Sequence, residues 1–234
     1  MKNYRIALIG SGGRGIGMAR LAAQSPWSAE IVALADPAVV ARQRGEEALG
    51  IGRERQFADH RDLLARCPEL DAAIVATEVH NHARVACDCL RAGVSVYLEK
   101  PMCRTIDEAH EVVATARSTG VPLMVGMNLR FAPFYRRLKE LVADGAIGEL
   151  ISVEWKEVLS ADAWADGYCR ASWYSRRSEV GGWLLEKSCH DIDQINWLMD
   201  APCARVASLG SRSHFVPRED VPERCTDGCP EADE

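Results

Sequence analysis

Arg5-Ile-Ala-Leu-Ile-Gly-Ser-Gly-Gly-Arg-Gly15 is the stretch that decides the fold. Arg5 to Ile9 read as a strand, and a helix follows Gly15. Between them, Gly10-Ser11-Gly12-Gly13-Arg14-Gly15 is a G-x-G-x-x-G turn placed where that turn has a physical job. Gly10 permits the tight turn, Gly12 lets the backbone approach a pyrophosphate, and Gly15 allows a helix to pack closely on a strand. The helix N-terminus offers unpaired N–H groups and the positive end of its dipole to phosphates. Glu30-Ile-Val-Ala-Leu-Ala35 is the second strand and ends at Asp36, where a carboxylate accepts hydrogen bonds from adenosine ribose hydroxyls. Asp36 would repel a 2′-phosphate, which favours NAD over NADP, although Arg42 and Arg44 soften that preference. A plain strand–turn–helix with a capping Asp is the competing reading. Motif, context and acid together favour the dinucleotide.

Working outward, short apolar runs alternate with helix-period segments as far as Gly126. Ala38 to Leu49 reads as a helix ending near Gly50. Asp71 to Ala76 is a strand, Asn81 to Ala92 a helix that stops at Gly93, and Ser95 to Leu98 another strand. Thr105 with Glu108 forms a capping box at the next helix, and Leu123-Met-Val-Gly126 completes the series. This βα alternation predicts an α/β, doubly wound parallel sheet of Rossmann type over residues 1–126. After Gly148 the rhythm changes. Ile151 to Val158 and Arg205 to Leu209 alternate apolar and polar side chains, as strands of a one-faced antiparallel sheet do. A helix is expected from about Ser188 to Met199, with Ile192, Ile195 and Leu198 as its buried stripe. Residues 127–234 thus read as an incomplete α+β domain with an open, mostly antiparallel sheet. Two strands and one helix bury too little to stand alone, so this part is expected to lean on the first domain and a partner chain, or to continue past Glu234. Its unpaired sheet edge points to homo-oligomer formation or aggregation.

Composition removes several function classes. A net charge of -6 gives no basic surface for nucleic acid. No run approaches the roughly 20 apolar residues of a membrane helix, and the N-terminus lacks the pattern of a signal peptide. The nine cysteines are odd in number and sit mostly in apolar or helical segments, so reduced thiols in a cytoplasmic protein are expected. Cys225 and Cys229 supply too few ligands for a metal site, and no metal is expected.

Leu98-Glu99-Lys100-Pro101 ends a parallel strand at its carboxyl edge, over which ligands bind in open α/β sheets. Lys100 there is either a solvated residue or a hydrogen-bond donor to a substrate hydroxyl. Downstream, Glu186 and His190 are four apart and Asp193 is three further on, so all three could share one helix face. That pattern is either a surface helix with charge pairs or a general-base histidine oriented by carboxylates. Trp164, Tyr168, Trp173, Tyr174 and Trp183 crowd one irregular stretch. Flat aromatic faces suit the apolar side of a sugar ring, and equally they seal loops against a core.

Taken in order, these segments resemble the glucose–fructose oxidoreductase / inositol dehydrogenase / MocA family over nearly the whole chain. The carrying features are the Gly10–Gly15 loop, Asp36, Thr77 with His82, Ala92-Gly93 before Glu99-Lys100-Pro101, Val125 to Phe131, Gly145 to Gly148, and Gly181 to Asp193. The resemblance implies an NAD(P)-dependent dehydrogenase acting on an alcohol carbon of a sugar, cyclitol or related polyol. It implies Lys100, His190 and Glu186 as catalytic residues. His190 takes the hydroxyl proton, Lys100 polarises the oxygen, and the acid assists substrate binding or orients the imidazole. In the family that acid is usually Asp; here Glu186 is one methylene longer. The cofactor is assigned to Gly10, Ser11, Gly12, Gly13, Arg14, Gly15, Asp36, Thr77, His82, Glu99 and Lys100. The substrate is assigned to Arg130, Trp164, Tyr168, Trp173 and Asp193. Two other activities stay open: a relative that retains NAD and cleaves glycosides, and a truncated, non-catalytic dinucleotide-binding protein.

Overall fold

The computed structural model describes residues 2–26, 28–160, 176–211 and Gly228. Six parallel strands form one sheet in the order β3-β2-β1-β4-β5-β6. They are β1 (Tyr4–Ile9), β2 (Ala29–Ala35), β3 (Gln56–Phe57), β4 (Ala72–Val75), β5 (Ser95–Leu98) and β6 (Leu123–Val125). Helices α1 (Gly13–Ala23), α2 (Val39–Leu49), α3 (His60–Arg66), α4 (Val79–Arg91) and α5 (Ile106–Thr119) cover its two faces. The doubly wound sheet expected from the sequence is therefore present. Its edge strand β3 and helix α3 are additions, because two residues are too few to register as a periodic run. The local signal for α3 is Asp59, whose side chain caps the helix by accepting from the Arg61 N–H.

Period-2 alternation within these strands sorts the core into two layers. Ala7, Ile9, Ala33, Ala35, Ala73, Val75, Val96 and Leu98 face α3 and α4, meeting Leu63, Val85, Ala86, Cys89 and Leu90. Leu8, Leu34 and Ile74 point the other way, against Ala19 of α1 and Ile51. Each fully buried leucine contributes about 2 kcal/mol by leaving water. The cysteines in this core are free thiols, and burial pushes Cys89 up to about 12.

Strand register sets the site. Phe57 pairs with Ala35, Ala35 with Ile9, Ile9 with Val75, Val75 with Leu98 and Leu98 with Val125. One row thus crosses the whole sheet. The residues that follow it, among them Asp36, Gly10, Ala76 and Glu99, form a common carboxyl edge. The order reverses between β1 and β4, and that switch point is where open α/β sheets bind ligands.

Beyond β6 come a 3-10 turn (Asn128–Phe131), α6 (Pro133–Ala143), α7 (Arg177–Val180), α8 (Trp183–Glu186) and α9 (Cys189–Met199). Residues 1–200 form one compact unit and 201–234 a second. The strands expected at 151–158 and 205–209 are absent: both stretches lack ladder pairing, and Ile151, Val158, Val206 and Leu209 are exposed. Alternation marks which side chains suit a pleated face, but a strand forms only when a partner ladder satisfies its backbone. Helix α9 also turns its faces differently from expectation. Ile192 is exposed, while Asp191, Gln194 and Leu198 are buried. The spacing of 191, 194 and 198 fits a helical stripe as well as the apolar one, and Asp191 is held there by an N–H of Trp155. Among the described residues no helix is long and apolar enough to cross a membrane.

Candidate active site

The carboxyl edge opens into a cleft of about 480 Å³, a volume suited to a small-molecule site. Gly10, Gly12, Gly13, Arg14, Asp36, Thr77, His82, Glu99, Lys100 and Glu186 all line it. The glycines of the loop do two different jobs. Gly10 takes φ +92°, and a Cβ there would lie 2.5 Å from the Ala76 carbonyl oxygen. A Cβ on Gly15 would lie 2.1 Å from the Gly10 carbonyl oxygen. A Cβ on Gly12 or Gly13 would meet nothing within 4 Å. Gly10 and Gly15 therefore serve packing, and Gly12 and Gly13 leave open space.

Helix α1 begins at Gly13, and its N-cap Gly12 supplies no side-chain hydrogen bond, so first-turn N–H groups are left without a side-chain cap. Asp36 Oδ2 accepts from the Ser11 N–H at 2.8 Å and Oδ1 from the Ala38 N–H at 2.9 Å. The acid thus fastens the loop to the end of β2, and each oxygen keeps a lone pair for a ligand hydroxyl. Arg42 donates to the backbone oxygens of Asp36 at 2.6 Å and Pro37 at 3.1 Å, so its guanidinium grips the turn beside the acid. Ser11 is buried, with its Oγ unpartnered.

His82 is almost fully buried, its Nδ1 2.8 Å from the Pro101 carbonyl and its Nε2 3.0 Å from the Thr77 carbonyl. Both nitrogens face backbone carbonyls, and a neutral imidazole donates to only one of them, so His82 fills the cleft wall between the loop after β4 and the loop after β5. Burial lowers its pKa. Glu99 is buried and accepts from Arg14 Nε at 2.8 Å.

Lys100, in a cis Lys100-Pro101 unit, projects from the same edge. Its ammonium donates to Glu186 Oε1 at 2.7 Å and to the Glu186 backbone oxygen at 2.7 Å. The two side chains are 18% and 4% exposed, and Glu186 Oε2 is buried without a partner. Burial raises the Glu186 carboxyl above its usual range, although the Lys100 ammonium pulls the other way.

The expected single face of Glu186, His190 and Asp193 does not form. The helix breaks at Lys187–Ser188, so Glu186 closes α8 while His190 and Asp193 belong to α9. Glu186 turns to Lys100 instead. Asp193 binds Arg130 in a two-point pair, Nε to Oδ2 at 2.8 Å and Nη2 to Oδ1 at 2.6 Å. These two expected substrate ligands engage each other and tie the turn after β6 to α9. His190 is half-buried with Nδ1 unpartnered. Burial, then the nearby Lys100 and Lys187 charges, lowers its pKa, which favours the neutral imidazole a general base requires. Trp164, Tyr168 and Trp173 lie outside the described residues, as do Cys225 and Cys229.

Comparison with known proteins bears on this geometry. The profile of the oxidoreductase family with an NAD-binding Rossmann fold, GFO/IDH/MocA, matches residues 4–127, and that of the GFO/IDH/MocA C-terminal domain matches residues 135–226. The chain belongs to this family. Its N-terminal part is accordingly an NAD-binding Rossmann domain. Rhizopine catabolism protein MocA of Rhizobium meliloti is 28% identical over 85% of the chain and 58% of its own length. Levoglucosan dehydrogenase of Pseudarthrobacter phenanthrenivorans is 29% identical over 85% of the chain and 52% of its own length. Among solved structures, the WlbA dehydrogenase from Bordetella pertussis in complex with NADH and UDP-GlcNAcA is similar, with a TM-score of 0.73 and 26% identity. That match covers 84% of this chain and 58% of that one. The chain spans about half the length of the curated relatives it matches.

The residues of this GFO/IDH/MocA chain fit the family's dinucleotide. The open side of Gly12 and Gly13, the α1 N-terminus and the orphaned Ser11 Oγ make a cradle for a pyrophosphate, and Asp36 stands one strand away for a ribose. Sequence reasoning missed Ala38, Ala41, Glu78 and Val79, which also line the cleft. Their signal was only position, just after β2 and β4. It also gave no element for 133–143, where Pro133 at the first turn and an amphipathic pattern mark α6.

Proposed function

We propose that this chain is the cofactor-binding and catalytic part of a dehydrogenase that oxidises an alcohol carbon of a sugar, cyclitol or related polyol with NAD. Bound NAD supplies the hydride acceptor, held by the glycine loop and Asp36, with Thr77, Glu99 and Arg14 along the same edge. The protein's own work is on the hydroxyl. Two of the three Lys100 N–H groups are held by Glu186, which leaves one to polarise a substrate oxygen. His190, kept neutral by burial, takes the hydroxyl proton. The buried, unpartnered Glu186 Oε2 asks for a donor, and a second hydroxyl of a polyol supplies one.

The observation that carries this reading is the Lys100–Glu186 pair on the wall of the dinucleotide cleft. Asp36 favours NAD over NADP, because its carboxylate faces the position a 2′-phosphate would take. The test is incubation with NAD and a panel of sugars and inositols, following the absorbance of reduced nicotinamide. A preparation shown to bind NAD that turns over nothing on a broad panel would sink the reading.

A further inference from the structure

We propose that Arg104 and Glu179 are positioning residues that strap residues 177–186 across the loop carrying Lys100. They thereby fix the Lys100–Glu186 pair on which the proposed reaction rests.

The strap is fastened at both ends to one short loop. At its far end Glu186 receives the Lys100 ammonium. At its near end the Ser178 carbonyl accepts from Arg104 Nη1 at 2.7 Å. Arg104 cannot swing freely, since Glu108 holds its Nη2 at 2.8 Å and its backbone N–H at 2.8 Å. The Arg104 donor is therefore a preset hook and not a searching surface cation.

Between the fastenings the chain is seated closely. Val180 is buried. Gly181 adopts φ +80°, and a Cβ on it would lie 3.2 Å from the Arg104 carbonyl oxygen and 2.6 Å from Leu185 Cδ2. No other residue fits there without strain.

A second hook comes from α4. His80 Nδ1 lies 2.7 Å from Glu179 Oε2. Arg84 donates to Asn81 Oδ1 at 2.8 Å, which turns the Asn81 amide NH2 toward His80 Nε2 at 3.0 Å. Nε2 is then the acceptor, and Nδ1 carries the proton that faces Glu179. The ring is neutral in that tautomer, so Glu179 Oε2 faces an N–H dipole off the line of a full hydrogen bond, and Arg104 is the stronger fastening.

Neither hook lines the cleft, and neither touches a reacting atom. Their effect passes through Glu186. Lys100 and Glu186 are 86 residues apart in sequence, and two flexible side chains pair at that separation only if the backbone delivers them.

The experiment reads Lys100 without cofactor or substrate. Wild type, R104M, E179A and E179Q are treated with an amine-acylating ester, and modification of each lysine is followed by mass spectrometry, with exposed Lys156 as internal reference. The clamp predicts that Lys100 labels about tenfold faster or more in R104M, the scale of one hydrogen bond to a charged group. A smaller rise is expected in E179A, and wild-type behaviour in E179Q, which keeps an acceptor for His80. Amide exchange should quicken over 177–186 and not in the parallel sheet. Where R104M loosens the whole fold and every lysine labels faster, E179A is decisive by itself. Unchanged Lys100 labelling in folded R104M, or in E179A in that case, overturns the proposal. An enzyme without NAD turnover refutes the proposed reaction but leaves this reading standing.

Discussion

Lys100 Nζ is held by two acceptors of a single residue, the carboxylate and the carbonyl of Glu186, each at 2.7 Å. An ammonium so placed is half-neutralised yet keeps a donor toward the cleft. The pair is also a structural liability, because a carboxylate this deeply buried is tolerated only with its partner.

Replacing Lys100 by Met should therefore cost both activity and stability. Turnover should fall by about a hundredfold or more, as for loss of a positioned proton donor. Chemical denaturation should show a loss of about 3 kcal/mol, because the buried Glu186 carboxyl is left without its partner. E186Q should cost less, about 1 kcal/mol, since Lys100 retains the carbonyl. Equal stability of K100M and wild type would show that the pair is not a buried one in solution.

Burial lowers the pKa of His82 and His190 below the ordinary 6.5. Such a group binds fewer protons in the folded state than in the unfolded one. Its stabilising effect is present above pH 6.5 and is lost as pH falls through the lower folded value. Melting temperature should thus drop as pH falls below 6.5, and the drop should shrink in H82Q. The acid limb of kcat/KM should likewise fall below 6.5 if His190 is the base. A limb at or above that value would assign the base elsewhere.

The glycine loop separates fold from function. G10A and G15A place a methyl group against backbone at 2.5 and 2.1 Å, so both should lower the melting temperature of the cofactor-free chain. G12A meets nothing and should melt like wild type. It should still weaken NAD binding by about tenfold or more, about 1.4 kcal/mol, because the methyl group fills the pyrophosphate's space. Titration calorimetry on all three variants checks the contrast.

Asp36 carries cofactor choice. NAD should bind at least about tenfold tighter than NADP, and D36N should narrow that ratio. The Asn retains an acceptor for only one of the Ser11 and Ala38 N–H groups, so a melting temperature slightly below wild type is expected as well. An unchanged ratio would remove Asp36 from cofactor selection.

Much of the sheet was legible because its signals are local. The runs at 5–9, 30–35, 71–76, 95–98 and 123–126 are apolar and short, and the breaks at Gly50 and Gly93 coincide with helix ends in left-handed conformation. The capping box of Thr105 and Glu108 forms as the spacing predicts. The two-residue β3 left no periodic trace. The stretches 151–158 and 205–209 carried a strand pattern without a ladder to join.

By itself, the sequence determined that a parallel sheet would present Gly10–Gly15, Asp36 and Glu99-Lys100 at one carboxyl edge, since strand ends and turn residues are written in contiguous positions. Only the tertiary structure decided which acid meets which base. Helical spacing placed Glu186, His190 and Asp193 on one face, but a break of two residues at Lys187–Ser188 redirected Glu186 to Lys100, while Asp193 went to Arg130. Pairings between residues 63 and 86 positions apart depend on how separate elements pack, and no local periodicity encodes that.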